Sequence, residues 1–185
     1  MIDDILKDAE LRMNKSVEAV ATEFLRIRTG RASTALLDHL TVDYYGSRVP
    51  IAQAATVSVG DARTLVIQAW EKGMIPLIEK AIIESDLGLN PVTAGEVMRI
   101  PMPALTEERR KEMTKIVRHE GEQGKIAVRN IRRDALGDLR DLTKEKLIGE
   151  DDEKRAEAQM QVLTDRSVSR IEEKVNEKEA EVMDV

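Results

Sequence analysis

The chain has 185 residues, of which 35% are charged and 2% aromatic, with a net charge of −6 and no cysteine. No disulfide or thiolate metal site can form, and a chain so charged and so poor in aromatics suits long amphipathic helices better than one compact mixed core. No run approaches the roughly 18 apolar residues of a membrane span, and the opening MIDDILKDAELRMNKS has neither the basic nor the apolar region of a leader, so a cytoplasmic protein is expected.

Leu6, Ala9, Met13, Val17, Val20, Phe24 and Ile27 recur at steps of three and four, which predicts a helix closed by a left-handed glycine at Thr29-Gly30. Between residues 31 and 104 the pattern changes. Thr41 to Tyr45 alternates and leads through Gly46-Ser47 into Arg48 to Ile51, a hairpin whose second strand carries Pro50 at an edge. Further strands are expected at Ala55 to Val59, Thr64 to Ala69 and Glu96 to Ile100, with a short helix starting near Pro76. The few large aromatics here, Tyr44, Tyr45 and Trp70, are expected to pack this small domain.

The helical period returns after Leu105. Thr106 is the expected N-cap, followed by Glu107 and Glu108 in the first turn. Met113, Val117, Gly124, Val128, Ile131, Ala135 and Leu142 form one stripe, on a helix expected to reach Leu147 and end at Gly149. Gly124 lies on that stripe and predicts close approach of a neighbour, whereas Gly121 and Gly137 have no evident role. A last helix places Ala156, Met160, Leu163, Ser167, Ile171, Val175 and Val182 on one side. Three such helices cannot bury their stripes alone, so residues 1–30 and 105–185 predict a three-helix bundle interrupted by a small β-rich domain at 31–104. The two crossings, Thr29-Gly30-Arg31 and Pro103-Ala104-Leu105, are hinge candidates.

Charge is distributed unevenly. Residues 109 to 133 hold nine Lys or Arg against three Glu, a local +6 that leaves −12 for the rest. On a helical wheel with Met113 at zero, Lys111, Lys115, Arg118, Lys125, Arg129, Arg132, Arg133 and Arg140 fall at about 100° to 220°, and Glu112, Asp134, Asp138, Asp141 and Glu145 at about 260° to 340°. Like charges one turn apart repel, and a polyanion bound to this side would offset the repulsion. Arginine's planar fork suits phosphate oxygens, while the stripe has no aromatic platform for stacking bases; backbone and shape recognition of structured RNA is the expectation. For Arg132 the competing reading is an ion pair with an acid of the last helix. His39 and His119 read as bystanders, and no phosphate loop, GxSxG elbow or HExxH motif is present, so neither an enzyme, a metal site nor a cofactor is expected.

The blocks RIRTGRAS (26–33), DLGLNP (86–91), LTEERRKEMTKIV (105–117) and AVRNIRRDA (127–135) resemble the signature segments of the bacterial ribosome recycling factor family, over the whole chain. The resemblance implies an α+β protein, an elongated three-helix bundle with an inserted β/α/β domain on a two-segment hinge and an outline similar to a transfer RNA. It implies a monomeric translation factor that binds the ribosome through large-subunit rRNA. With elongation factor G and GTP, such a factor splits the subunits after termination and so releases mRNA and deacylated tRNA. By the same resemblance Arg110, Arg129 and Arg132 would contact rRNA, with Arg133 beside them and Arg31 in the hinge motif as further candidates. The alternative is a non-ribosomal adaptor or RNA-binding protein that uses the bundle as a coiled-coil-like surface.

Overall fold

A computed structural model describes residues 1–27 and 29–184; Arg28, inside the RIRTGRAS block, and Val185 lie outside the described residues. The chain divides into two units. One comprises residues 1–28 and 107–184, and the other residues 29–106.

The first unit is built from α1 (Ile2–Arg26), α3 (Glu107–Lys144) and α4 (Glu150–Met183). Each buries residues at steps of three and four: Ala9, Met13, Val17, Val20 and Phe24 on α1, and Met113, Val117, Gly121, Gly124, Val128, Ile131, Ala135 and Leu139 on α3. On α4 the buried set is Ala156, Met160, Thr164, Ser167, Ile171 and Val182. That spacing keeps one stripe of each helix turned toward its neighbours, so the three stripes close a single core. Arg12 pairs with Asp134 and Val20 faces Gly124, so α3 runs antiparallel to α1; Glu10 pairs with Arg166 and Asn14 accepts from Arg170, so α4 runs parallel to it.

Several local expectations shift. Helix α1 stops at Arg26, and Ile27 is already extended, so Gly30 with its φ of +75° turns the chain beyond the helix and does not cap it. Helix α3 ends at Lys144, where Lys146 takes a left-handed φ of 61°, and Gly149 serves as the N-cap position of α4. Leu139, and not Leu142, is the last buried residue of α3; Leu142 lies two residues before the helix ends at Lys144 and is only half-buried. On α4 it is Thr164 that enters the core ahead of Leu163, its hydroxyl donating back to the Met160 carbonyl at 2.8 Å, so that its own buried donor is paired.

Gly121 and Gly124 share one explanation. A Cβ on Gly124 would collide with Val20 Cγ2 of α1, and one on Gly121 with Val175 Cγ2 of α4. Each glycine costs roughly 1 kcal/mol of helix propensity against alanine, and the close helix contact it permits offsets that. Around Gly137 a Cβ would meet nothing within 4 Å.

In the second unit β1 (Thr41–Tyr44) and β2 (Ser47–Pro50) form a hairpin. A four-stranded antiparallel sheet has the order β3-β4-β6-β5, from β3 (Ala55–Asp61), β4 (Thr64–Ala69), β5 (Val92–Ala94) and β6 (Val97–Pro101). Helix α2 (Ile75–Ile83), with Pro76 in its first turn, buries Ile78 and Ile82 in a separate core with Leu65, Ile67, Met98 and Ile100. The hairpin turn has positive φ at both Tyr45 (51°) and Gly46 (85°), the geometry that matches strand twist in two-residue loops. Asp43 Oδ1 accepts the Gly46 N–H at 2.9 Å, and Glu71 accepts from the hydroxyls of Tyr44, at 3.0 Å, and Tyr45. Those bonds secure a non-glycine residue in a left-handed conformation. Tyr44 packs against the core, but Tyr45 and Trp70 are 80% and 60% exposed, so two of the three aromatics expected to pack this unit do not. Among the described residues no helix is long and apolar enough to cross a membrane.

Candidate RNA-binding face

Four of the five candidate contact residues, Arg110, Arg129, Arg132 and Arg133, stand on α3; Arg31 belongs to the second unit, where it is exposed. At a rise of 1.5 Å per residue, Arg129, Arg132 and Arg133 lie within about 6 Å along the helix axis, and Arg110 lies about 30 Å before them.

The basic side of α3 is only partly open to a partner. Arg118 pairs with Glu179, Lys125 with Glu172 at 3.1 Å and Arg140 with Glu157 at 3.9 Å, all three across to α4. Lys111 pairs with Glu107 at 2.8 Å, and Arg129 with Glu122, two turns earlier on α3, at 3.2 Å. Much of the like-charge repulsion expected along this helix is therefore offset inside the protein, by Glu107 and Glu122 of α3 itself and by three carboxylates that the packing of α4 brings near. Arg132 Nη1 donates to the neutral Gln161 Oε1 at 3.0 Å, so its expected competitor, an ion pair with an acid of the last helix, does not form within 4 Å. Among the described residues Arg110, Lys115, Arg132 and Arg133 have no ion pair. Arg110 is half-buried, and its Nε is sealed from solvent with no acceptor among the described residues. A buried donor in that state costs about 1–3 kcal/mol.

The acids sort as expected in part. Asp134 is drawn to α1, accepting from Arg12 Nη2 at 3.2 Å, and Asp138 is exposed. Gln161 and Asp165 escaped sequence reasoning. The signal was present in the acids at 157, 165, 172 and 179, whose spacing repeats in reverse that of the bases at 140, 132, 125 and 118.

The hinge candidates lie together in the second unit. Thr29, Gly30 and Arg31 lead in, and Pro103, Ala104 and Leu105 lead out, both without regular structure. Gly30 faces Leu105: a Cβ there would stand 3.5 Å from Leu105 Cγ and 3.6 Å from the Pro103 carbonyl oxygen. Space is adequate, and the positive φ is what favours glycine. Met102 N–H donates to the Arg63 carbonyl at 2.7 Å and Ala32 N–H to the Ala62 carbonyl at 2.8 Å, which ties both strands of the crossing to the same turn.

Elsewhere, no group of three His, Cys, Asp or Glu side chains among the described residues is placed to hold a metal, and His39 and His119 are both exposed. In the second unit a cleft of about 530 Å³ is lined by Leu37, Ile51, Val57 and Trp70, whose indole N–H is engaged by Thr56 Oγ1 at 3.0 Å. It brings together no titratable pair.

The family model described as Ribosome recycling factor matches residues 20–183. The chain belongs to the ribosome recycling factor family. A ribosome-recycling factor of Legionella pneumophila (strain Corby) is 55% identical over 185 residues, covering 100% of both chains, and one of Ralstonia pickettii (strain 12J) is 56% identical over 184 residues, covering 100% of this chain and 99% of the relative. A solution structure of the ribosome recycling factor superposes with a TM-score of 0.73 at 43% identity, covering 100% of this chain and 98% of the other. A T. thermophilus ribosome recycling factor, from models in which it and the E. coli elongation factor G are bound to the E. coli post-termination complex, reaches a TM-score of 0.64 at 45% identity over 99% of each chain. With the family fixed, the α+β class and the helical bundle with a small β domain are those of its solved members.

Proposed function

We propose that this protein, acting as a monomer, binds the ribosome after termination through large-subunit rRNA. With elongation factor G, which hydrolyses the GTP, it splits the subunits so that mRNA and deacylated tRNA leave. Family membership over residues 20–183 supports the recycling role. The observation that carries the contact is the state of α3: Arg132 and Arg133 are cations without a carboxylate partner among the described residues, beside neighbours that α4 neutralises. A guanidinium without a carboxylate partner offers its donors to phosphate without first breaking an ion pair. Arg129 joins them after release from Glu122, Arg110 extends the contact toward the start of α3, and Arg31 adds a contact from the second unit. Thr29, Gly30 and Arg31 with Pro103, Ala104 and Leu105 serve as the hinge on which the second unit turns when elongation factor G acts on it. The protein supplies surface and motion as a translation factor, and no chemistry of its own.

The test is binding of the full chain to isolated large ribosomal subunits over a salt series. The affinity is expected to fall steeply with salt, because each phosphate contact releases counterions. An affinity indifferent to salt would favour the adaptor reading instead.

A further inference from the structure

The three ion pairs between α3 and α4 share one register. From Arg118 to Lys125 is seven residues, and from Glu179 to Glu172 is seven; from Lys125 to Arg140 is fifteen, and from Glu172 to Glu157 is fifteen. Arg132 stands seven residues beyond Lys125 and Asp165 seven before Glu172, so the register sets Arg132 opposite Asp165. A fourth pair is due there, and it is absent. In its place Arg132 Nη1 donates to Gln161 Oε1 at 3.0 Å, and Gln161 Nε2 donates to Asp165 Oδ1 at 2.7 Å. The orientation of that amide is determined by its partners, since a guanidinium only donates and a carboxylate only accepts.

We propose that Gln161 is a positioning residue for the ribosome contact: its amide keeps Asp165 off Arg132, so that the guanidinium remains an uncompensated cation available to phosphate. The inference rests on the rRNA-binding reading given above. A guanidinium closed on a carboxylate presents to it the same fork that would grip a phosphate, and the two acceptors compete. Gln161 satisfies the Asp165 oxygen with its own N–H and leaves four of the five Arg132 donors for an incoming group. It also fixes the reach of Arg132, which is half-buried, so less side-chain entropy is lost on binding. The same three residues thus convert one rung of a structural ladder into a binding position.

The experiment measures affinity of the full chain for large ribosomal subunits over a salt series, for the native protein, Arg132→Ala, Gln161→Met, Asp165→Asn and the double variant Gln161→Met/Asp165→Asn. Gln161 and Asp165 are exposed and methionine is a good helix former, so all are expected to fold, with helicity as the check. Gln161→Met is expected to bind roughly two- to fivefold more weakly, the range an exposed ion pair contributes, with a shallower salt slope. The double variant is expected to regain native affinity and slope, since the competing carboxylate is gone. Native affinity in Gln161→Met, or a double variant as weak as Gln161→Met, overturns the proposal. If Arg132→Ala weakens binding while Gln161→Met does not, only the role of Gln161 fails; if Arg132→Ala binds like the native protein, the contact assigned to Arg132 fails and this inference with it.

Discussion

Gly124 of α3 faces Val20 of α1 so closely that a Cβ would overlap Val20 Cγ2, with Ile171 Cδ1 of α4 only 3.3 Å away. Valine is stiff at χ1 and cannot swing aside. Gly124→Ala therefore gains about 1 kcal/mol of helix propensity but meets an overpacking cost of about 1–3 kcal/mol. Net destabilisation is expected in urea unfolding. Combining it with Val20→Ala should relieve the clash, giving a favourable coupling above about 0.5 kcal/mol in a double-mutant cycle. Additive effects would show that the two positions do not touch.

Gly121 and Gly137 separate packing from propensity on the same helix. Gly121→Ala drives a methyl into Val175 and is expected to destabilise, whereas Gly137→Ala enters open space and is expected to stabilise by about 0.5–1 kcal/mol. Opposite shifts of the unfolding midpoint test this; a stabilising Gly121→Ala would contradict the α3–α4 geometry.

Arg132 and Arg118 are bases on one helix with different partners. Removing Arg118 breaks an exposed pair with Glu179 and should cost about 0.2–1 kcal/mol of stability, with little change in ribosome affinity. Removing Arg132 breaks no ion pair, so thermal stability should stay nearly native while affinity falls and the slope of log K against log salt drops by about one. Equal effects of Arg118→Ala and Arg132→Ala on affinity would mean that the ladder does not sort these cations.

The bundle was legible because α1, α3 and α4 repeat apolar residues at three and four over 25, 38 and 34 residues, and periodicity survives without knowledge of partners. Apart from the close neighbour that Gly124 predicted, what depends on partners was not legible. The role of Gly121 needed Val175, and the pairing of Lys125 needed Glu172, 47 positions away in the chain. Strand β5 was missed because Val92–Ala94 is three exposed residues after a proline, too short to show alternation. Arg129, Arg132 and Arg133 were visible on a sorted stripe, while Arg110 and Arg31 came only from the family resemblance; which of the stripe's cations α4 neutralises is set by register, which a helical wheel for one helix does not contain.

Tyr44 and Tyr45 are the two tyrosines of the chain, and both donate to Glu71. Those hydrogen bonds foremost, with the negative charge of Glu71, raise both phenols above their ordinary value of about 10. Because the folded-state values are raised, the stabilisation is fully present below the unfolded value and is lost as pH rises through the folded values. A phenolate absorbance titration should show both groups ionising later than free tyrosine, and Glu71→Gln should bring both down. Titration at the ordinary value in both proteins would contradict the paired acceptor.

Recycling is measured most directly by light scattering of post-termination ribosomes mixed with this protein, elongation factor G and GTP. Subunits are expected to separate only when all three are present, and Arg132→Ala is expected to slow separation at limiting protein concentration. Intact ribosomes after mixing folded protein with an elongation factor G that splits them alongside another family member would contradict it.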